Sequence, residues 1–208
     1  QGSDIASVDA RTGSSQQNTQ IKVAKFAGDS IDVSVRENLK QVDIEHAQRE
    51  YRATAACGVC GKTEIADLDF KLPELTRTEV NTTLLETLPD ILRQSQTLFE
   101  ATGGIHAAGI FDQAGSLLCI REDIGRHNAV DKAIGHFVRM EAVPLTQNIL
   151  VVSGRAGFEL VQKALKASIP VMVSVGAASS LAVQMATDAG MALYSFAGRG
   201  RGNLHVKD

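Results

Sequence analysis

The last third of the chain alternates between strand-like and helix-like segments, and this pattern constrains the fold more than any other feature. Three short apolar segments are separated by two longer segments with helical periodicity. In chain order these are Asn148–Val152, Ala156–Ala167, Val171–Val175, Ser180–Ala189 and Met191–Phe196. Near-continuous apolar strands joined by helices are typical of a parallel sheet that is covered on both faces. The pattern therefore predicts an α/β fold.

A hairpin precedes this region and extends the predicted sheet. Ile105–Phe111 and Ser116–Arg121 have strand character and are separated by the turn Asp112-Gln113-Ala114-Gly115. Counted with the later segments, the sequence predicts five strands, two of them antiparallel. Upstream of the hairpin, Thr87 is a candidate N-cap with Pro89 in the first helical turn. We therefore expect a three-layer sandwich with a mixed sheet.

The predicted division of the chain follows from this pattern. Residues 78–208 are assigned to the sandwich domain, and residues 1–77 to a small, incomplete N-terminal α+β segment. Within that segment, residues 1–20 are rich in Ser, Gln, Gly and Thr, so we expect them to be loosely ordered. Gln20–Phe26 and Ile31–Val35 are predicted to be short strands around a turn.

Composition narrows the class of protein. The chain has 208 residues and a net charge of −3, so overall charge gives no reason to expect a nucleic-acid partner. Its apolar runs fall short of the roughly 20 residues that span a bilayer, so we expect no membrane partner. The polar start does not resemble a secretory signal, and three cysteines favour a reducing compartment over a disulfide framework. These features predict a cytoplasmic location.

Two of the three cysteines lie in one short loop, Cys57-Gly58-Val59-Cys60-Gly61. A CxxC loop is compatible with half of a zinc site, with a dithiol–disulfide couple, or with a sulfur-handling nucleophile. Because the sequence has no second CxxC or close histidine pair to complete a tetrahedral site, we predict no permanent metal. The third cysteine, Cys119, lies among apolar residues and is predicted to be buried and inert.

Glycine, serine and arginine residues follow the predicted strands at one end. Because ligands bind outside the carboxyl ends of parallel strands, these loops are expected to form one site. Three of them lead into helix N-termini, whose free N–H groups favour anions, and arginine binds phosphate bidentately. The candidate ligand is therefore an anion with phosphate groups. The residues concerned are Arg126, His127, Ser153, Arg155, Ser179 and the run Gly198-Arg199-Gly200-Arg201-Gly202.

His106 follows Gly103-Gly104 at the start of a strand and is placed in the same candidate site. A zinc-dependent deaminase-like hydrolase is one alternative function, but that chemistry needs an HxE motif followed by PCxxC. Here His106 is followed by two alanines, and the cysteine pair comes earlier in the chain. A nucleotide-binding redox-switch protein is the other alternative.

Six ordered motifs resemble those of the FdhD family, the formate dehydrogenase accessory sulfurtransferases. The similarity covers most of the chain from about residue 52 onward. The motifs are Cys57-Gly58-Val59-Cys60-Gly61, Gly103-Gly104-Ile105-His106-Ala107-Ala108, Glu122-Asp123-Ile124-Gly125-Arg126-His127-Asn128-Ala129-Val130-Asp131-Lys132, Ser153-Gly154-Arg155, Ser174-Val175-Gly176-Ala177-Ala178-Ser179-Ser180-Leu181-Ala182 and Phe196-Ala197-Gly198-Arg199-Gly200-Arg201.

The resemblance implies a sulfur carrier. Such proteins accept sulfur as a persulfide from a cysteine desulfurase and pass it to the molybdenum or tungsten bis(guanine dinucleotide) cofactor of formate dehydrogenase. By position, Cys57 matches the persulfide-bearing cysteine and Cys60 its partner. The run Phe196, Ala197, Gly198, Arg199, Gly200 and Arg201 matches the segment that holds the guanine nucleotide. The resemblance also implies a cytidine-deaminase-like sandwich and a homodimer.

Overall fold

The computed structural model of the chain describes residues 5–11, 30–35, 75 and 78–206. The chain divides into two compact units, Gln1–Ala53 and Thr54–Asp208. The predicted boundary near residue 77 falls beside a stretch that lies outside the described residues, so that boundary stays a prediction.

The first unit contains two described strands, β1 (Ile5–Arg11) and β2 (Ser30–Val35), which pair antiparallel. The expectation that residues 1–20 are loosely ordered is therefore wrong for Ile5–Arg11. That segment alternates apolar and polar residues, as a strand does, within a stretch whose composition resembles that of a loop. The predicted strand Ile31–Val35 is confirmed, whereas Gln20–Phe26 lies outside the described residues.

The second unit is built around a six-stranded sheet in the order β4-β3-β5-β6-β7-β8. The central strands β5, β6 and β7 are parallel, as predicted, while β3 runs antiparallel to β4 and β5, and β8 runs antiparallel to β7. The mixed α/β sheet is thereby confirmed. The strands are β3 (His106–Asp112), β4 (Leu117–Asp123), β5 (Asn148–Val152), β6 (Val171–Ser174), β7 (Ala192–Gly198) and β8 (Arg201–His205).

Four of the five described helices pack on the sheet, and strand periodicity assigns these four to two faces, whereas Thr97–Thr102 contributes no buried residue. Alternate strand residues point to opposite sides of a sheet, so the strands β3 to β7 each contribute to both hydrophobic clusters. Leu150 and Val152 of β5 belong to the cluster with α3, α4 and α5, whereas Ile149 and Val151 belong to the cluster with α1. The helices are α1 (Thr82–Gln94), α2 (Thr97–Thr102), α3 (Arg126–Arg139), α4 (Phe158–Lys166) and α5 (Ser180–Asp188).

Helix α1 begins at Thr82, before the predicted cap at Thr87. Its N-cap is Asn81, whose Oδ1 accepts a hydrogen bond from the Leu84 N–H at 3.2 Å. The prediction of a cap at Thr87 is wrong, and Pro89 lies inside the helix. An interior proline removes one helical hydrogen bond, but Leu85, Leu88 and Leu92 are buried along one face and hold the helix against the sheet.

The edge strand β8 is attached to β7 by close packing of Gly202 against Tyr194. A Cβ atom added at Gly202 would overlap the Tyr194 ring. The Tyr194 hydroxyl donates to Glu86 Oε1 at 2.9 Å and so ties β7 to α1. Burial, together with this bond to a carboxylate, raises the pKa of Tyr194 to about 12. The glycine therefore supports a contact that joins three elements.

Gly202→Ala is expected to lower the free energy of unfolding by roughly 1–3 kcal/mol, because overpacking a filled site costs about that much. The ring cannot move away without straining its bond to Glu86. Gly135→Ala is the matched control, since a Cβ at Gly135 in α3 would meet nothing within 4 Å. Removing glycine from a helix interior stabilises it by up to about 1 kcal/mol. Urea denaturation of both variants measures the two opposite shifts, and destabilisation of similar size at both positions would contradict the prediction.

Candidate functional site

The loops at one edge of the sheet are joined by backbone and side-chain hydrogen bonds. Ser153, directly after β5, donates its N–H to Ala107 O at 3.0 Å and accepts from the Ala107 N–H with its hydroxyl at 2.9 Å. Gly176, after β6, donates to Gly154 O at 3.0 Å, and Phe196 in turn donates to Gly176 O at 3.1 Å. The loops that follow β5 and β6 are therefore fixed to each other, to the start of β3 and to the end of β7.

Gly176 is required because the loops after β5 and β6 approach each other closely at this position. A Cβ added at Gly176 would lie 2.9 Å from Cγ of Arg155 and 3.1 Å from its backbone nitrogen. Two neighbouring loops can pass this closely only where one of them has no side chain. Gly176 therefore holds the β5 and β6 loops at a short separation.

A cleft of about 1000 Å³ opens between this sheet edge and the helices α1 and α2. Its lining comes from these helices and the segment that follows them, from the sheet edge and from the β7–β8 hairpin. Its described lining residues are Pro89, Asp90, Leu92, Arg93, Gln96, Phe99, Gly103, Gly104, Ile105, His106, Ser153, Val175, Phe196, Ala197, Gly198, Arg199, Arg201, Gly202 and Asn203.

The lining of the cleft combines positive charge with aromatic surface. Among the described residues, three arginines and one aspartate line it. The guanidinium of Arg93 lies 4.2 Å from the centre of the Phe99 ring, a cation–π contact on the helical wall. Arg199 and Arg201 are exposed and line the cleft from the β7–β8 hairpin. Such a cleft suits a ligand that has both anionic groups and a planar ring.

Phe196 is held in an unusual conformation beside the cleft. Its φ of 55° lies in the left-handed region, and 53% of its surface is exposed. A bulky residue at positive φ is strained, and this one coincides with a shift in the β7–β8 register. The Phe196 N–H is fixed by Gly176 O, which keeps the ring at the sheet edge. The chain therefore presents an aromatic ring to solvent at the mouth of the cleft.

The turn after Phe196 also depends on glycine. Gly198 and Gly200 have φ values of 136° and 68°, and Arg199 between them has a φ of 55°. Three residues in succession at positive φ reverse the chain sharply between β7 and β8, and glycine adopts such angles without steric cost. The turn places Arg199 and Arg201 at the lip of the cleft.

The predicted site residues are divided between the two sides of the sheet edge. His106, Ser153, Phe196, Ala197, Gly198, Arg199 and Arg201 line the cleft on the side of α1. Gly200 lies in the turn, whereas Arg126, His127, Arg155 and Ser179 lie next to the N-termini of α3, α4 and α5 on the other face. These helices begin after the predicted loops, as the sequence indicated.

Gly154 lies between the two groups. A Cβ at Gly154 would be 3.4 Å from the ring of His106, which lines the cleft, and 3.7 Å from Cδ of Arg126. The Nε of Arg126 is buried and has no hydrogen-bond partner among the described residues. Ser179 is committed to capping, since its hydroxyl accepts from the Ala182 N–H at 3.2 Å. Arg126 is therefore the residue of the second group that approaches the cleft-lining His106.

His127 is buried at the start of α3, with its Nε2 3.9 Å from Glu159 Oε2. Burial, reinforced by the positive charge of Arg126, lowers the pKa of His127 below its ordinary value of 6.5, although Glu159 opposes this shift. The imidazole is therefore neutral in the folded protein at pH 7. Its Nε2 has no hydrogen-bond partner in the described part of the chain.

The lowered pKa of His127 predicts a loss of stability in mild acid. As the pH falls through about 6.5, the unfolded chain takes up a proton at this position before the folded protein does. The free energy of unfolding should therefore be highest above pH 6.5 and decrease between that value and the lowered pKa of the folded state. His127→Gln should remove this part of the decrease in urea denaturation between pH 7 and pH 5. Identical pH dependence in wild type and variant would contradict the prediction.

The sequence analysis did not predict the lining residues that α1 and α2 contribute, Gln96 and Phe99 among them. These two lie at the start of α2, and Leu98 between them is 50% exposed. The deciding contact comes from β4, where the Glu122 carboxylate accepts from the N–H groups of Leu98 and Phe99 at 2.9 and 3.0 Å. A pairing across more than 20 residues leaves no local signal in the sequence.

The cysteine pair Cys57 and Cys60 lies outside the described residues, so its predicted roles stay predictions. Cys119 is buried, as expected, with 6% of its surface exposed. Burial raises the pKa of the Cys119 thiol, partly offset by Arg121, so it is kept protonated. In the part of the chain that the structure describes, no group of three or more His, Cys, Asp or Glu residues is arranged to hold a metal ion.

Comparison with known proteins matches this chain to one family. The model of the FdhD/NarQ family matches residues 10–207. The chain belongs to the FdhD/NarQ family. Three relatives carry the name sulfur carrier protein FdhD. They come from Corynebacterium efficiens (47% identical over 83% of this chain and 62% of the relative), Mycobacterium tuberculosis (44% over 80% and 61%) and Picrophilus torridus (40% over 89% and 70%).

The fold is also similar to that of a solved structure. A crystal structure from Desulfotalea psychrophila, named as a candidate formate dehydrogenase accessory protein, matches with a TM-score of 0.58 and 26% identity. The match covers 64% of this chain and 57% of that one. This chain spans about three fifths of the length of the first curated relatives that it matches. Within the described ranges, no helix combines the length and apolar character needed to cross a membrane.

Proposed function

We propose that this protein is a sulfur carrier that serves formate dehydrogenase. In this proposal it accepts sulfur from a cysteine desulfurase as a persulfide on Cys57. It then transfers that sulfur to the molybdenum or tungsten bis(guanine dinucleotide) cofactor. The cofactor is cargo rather than a resident group, and the protein acts in the cytoplasm as a homodimer. Membership of the FdhD/NarQ family, with relatives named as sulfur carriers, supports the proposal.

The observation that carries the proposal is the cleft beside the sheet edge. A carrier that acts on a nucleotide-containing cofactor must hold phosphates and a purine. The cleft offers Arg199 and Arg201 for phosphate, an exposed ring at Phe196 for stacking, and Ser153 and His106 as polar groups at its floor. Its volume of about 1000 Å³ is at the upper end of ligand sites, which suits one guanine nucleotide half of the cofactor.

The sulfur chemistry proposed for Cys57 balances without an external oxidant. The Cys57 thiolate attacks the outer sulfur of the desulfurase persulfide, the S–S bond of the donor breaks, and the donor cysteine leaves as a thiolate. The net result is the transfer of one sulfur atom, at the persulfide oxidation level, from the desulfurase to Cys57. In a second step the Cys60 thiolate attacks the inner sulfur, so that a Cys57–Cys60 disulfide forms and the outer sulfur leaves as hydrosulfide. The positive charges of Arg52 and Lys62, close in sequence, favour the thiolate form.

The experiment that tests the proposal is the intact mass of the full chain after incubation with a cysteine desulfurase and cysteine. We expect a gain of one sulfur atom that is removed by a thiol reductant, and peptide mapping should place it on Cys57. A protein that gains no reducible sulfur while the desulfurase is active would refute the sulfur-carrier function.

A further inference from the structure

Gln96 is a buried polar residue that lines the cleft and whose side-chain nitrogen is left without a partner. Only 3% of its surface is exposed, and its Nε2 has no hydrogen-bond partner within the described part of the chain. Buried polar groups in folded proteins are almost always paired, because an unpaired one costs roughly 1–3 kcal/mol. An unpaired carboxamide nitrogen in a residue that lines a cleft therefore points to a partner that comes from a ligand.

Helix capping does not account for this side chain. Gln96 is the N-cap residue of α2, where a polar side chain normally accepts from the helix N–H groups, but it makes no such bond. Glu122 from β4 takes that role, since its two carboxylate oxygens accept from the N–H groups of Leu98 and Phe99. The helix end is thus satisfied from outside, and the carboxamide of Gln96 is released from capping.

The surroundings of Gln96 favour a planar, polar-edged group. Arg93 and Phe99, which contact each other, line the cleft from α1 and α2, while Phe196 and Arg199 line it from β7 and the β7–β8 turn. Aromatic rings and guanidinium groups stack on purine faces, whereas a carboxamide pairs with the purine edge. A carboxamide offers both a donor and an acceptor, and rotation about its last torsion exchanges their places. It can therefore pair with an adjacent carbonyl oxygen and ring N–H.

We propose that Gln96 hydrogen-bonds the polar edge of the guanine base and is a specificity-determining residue of the cleft. This inference rests on the proposed function, in which the cleft holds a guanine nucleotide. Gln96 bonds O6 and N1–H of the base, while Arg199 and Arg201 bind the phosphates. The carboxamide therefore contributes to binding of the base and not to binding of the phosphates.

The test is titration calorimetry of the full chain with GDP, inosine diphosphate and inorganic pyrophosphate, which has no base. Gln96→Leu keeps the side-chain bulk but cannot form hydrogen bonds, so GDP binding should weaken by roughly ten- to a hundredfold. Pyrophosphate affinity should stay within about twofold of wild type, since the phosphate contacts are not altered. Equal weakening for GDP and pyrophosphate would indicate a purely structural role and overturn the inference.

A second variant tests directly whether Gln96 contacts the polar edge of the base. Gln96→Glu replaces the carboxamide with a carboxylate, which has two acceptors and no donor. It can accept from N1–H and the 2-amino group of guanine but cannot bond O6. Inosine diphosphate lacks the 2-amino group. The ratio of GDP affinity to inosine diphosphate affinity should therefore rise by roughly tenfold relative to wild type. An unchanged ratio would show that Gln96 does not contact the base.

The controls separate the inference from the proposed function on which it rests. Wild type that binds both GDP and pyrophosphate, with Gln96→Leu binding GDP as well as wild type does, refutes only the role of Gln96. Wild type that binds pyrophosphate but not GDP refutes guanine recognition. Wild type that binds neither refutes the nucleotide cleft, and the inference with it.

Discussion

Cys57→Ala is expected to abolish sulfur transfer to the cofactor while the protein remains folded. The thiolate of Cys57 is the proposed sulfur acceptor, and loss of a nucleophile that forms the covalent intermediate lowers a rate by several orders of magnitude. Cys57 lies in a short loop of the sequence, where glycine follows each cysteine, and Cys→Ala is a small change, so we expect the protein to remain folded. The measurement is reducible sulfur bound per chain after incubation with desulfurase and cysteine, together with the urea midpoint.

Cys119→Ala is the matched control for this prediction. Cys119 packs in the cluster with α3, α4 and α5, and burial raises its pKa, so its thiol is neither accessible nor ionised. This variant should load sulfur as wild type does. Labile sulfur found on Cys60 or Cys119, with Cys57 unmodified, would contradict the assignment of Cys57 as the acceptor.

The sequence predicts the central sheet well because the apolar pattern of each strand is visible within a short segment. Strands β5, β6 and β7 are buried on both faces, so nearly every position must be apolar, and the pattern is visible without knowledge of the fold. The hairpin β3–β4 is also predictable, since its turn residues allow few alternatives. These elements fix the edge at which the loops meet, and so they fix the region of the site.

Elements that depend on distant contacts were not predictable in the same way. Strand β8 is mostly polar and exposed, because an edge strand buries little of its surface, and its Arg-Gly-Asn sequence resembles a loop. The five-strand prediction is therefore one strand short. Gln96 carries no local signal at all, since its burial depends on Glu122 replacing it as the cap of α2.

The structure divides the predicted site residues between the cleft and the far face of the sheet, a division that the sequence did not indicate. Sequence reasoning placed all the basic loops in one cleft, whereas Arg126 and Arg155 lie beside the helix N-termini on the far face. The cleft itself draws its positive charge from α1 and from the β7–β8 turn. The proposed phosphate contacts are therefore assigned mainly to Arg199 and Arg201.

Arg199→Ala and Arg201→Ala are each expected to weaken GDP binding by roughly ten- to a hundredfold. A hydrogen bond between charged groups contributes about 1.5–3 kcal/mol, and each factor of ten in affinity corresponds to about 1.4 kcal/mol. Both side chains are exposed at the lip, so the loss should be smaller at high salt, where solvent-exposed charges are screened. Titration calorimetry with GDP at two salt concentrations measures both effects, and pyrophosphate binding should weaken in parallel because these contacts are to phosphate.

Arg139→Ala is the matched control for the two cleft variants. Arg139 is an exposed arginine in the last turn of α3, and that helix packs on the face of the sheet opposite to α1. Its removal changes the net charge by the same amount but takes no group from the cleft lining, so GDP affinity should change by less than about twofold. If all three variants bind GDP equally well, the nucleotide is not held by the β7–β8 turn. A loss confined to GDP, with pyrophosphate unaffected, would instead place the two cleft arginines against the base rather than the phosphates.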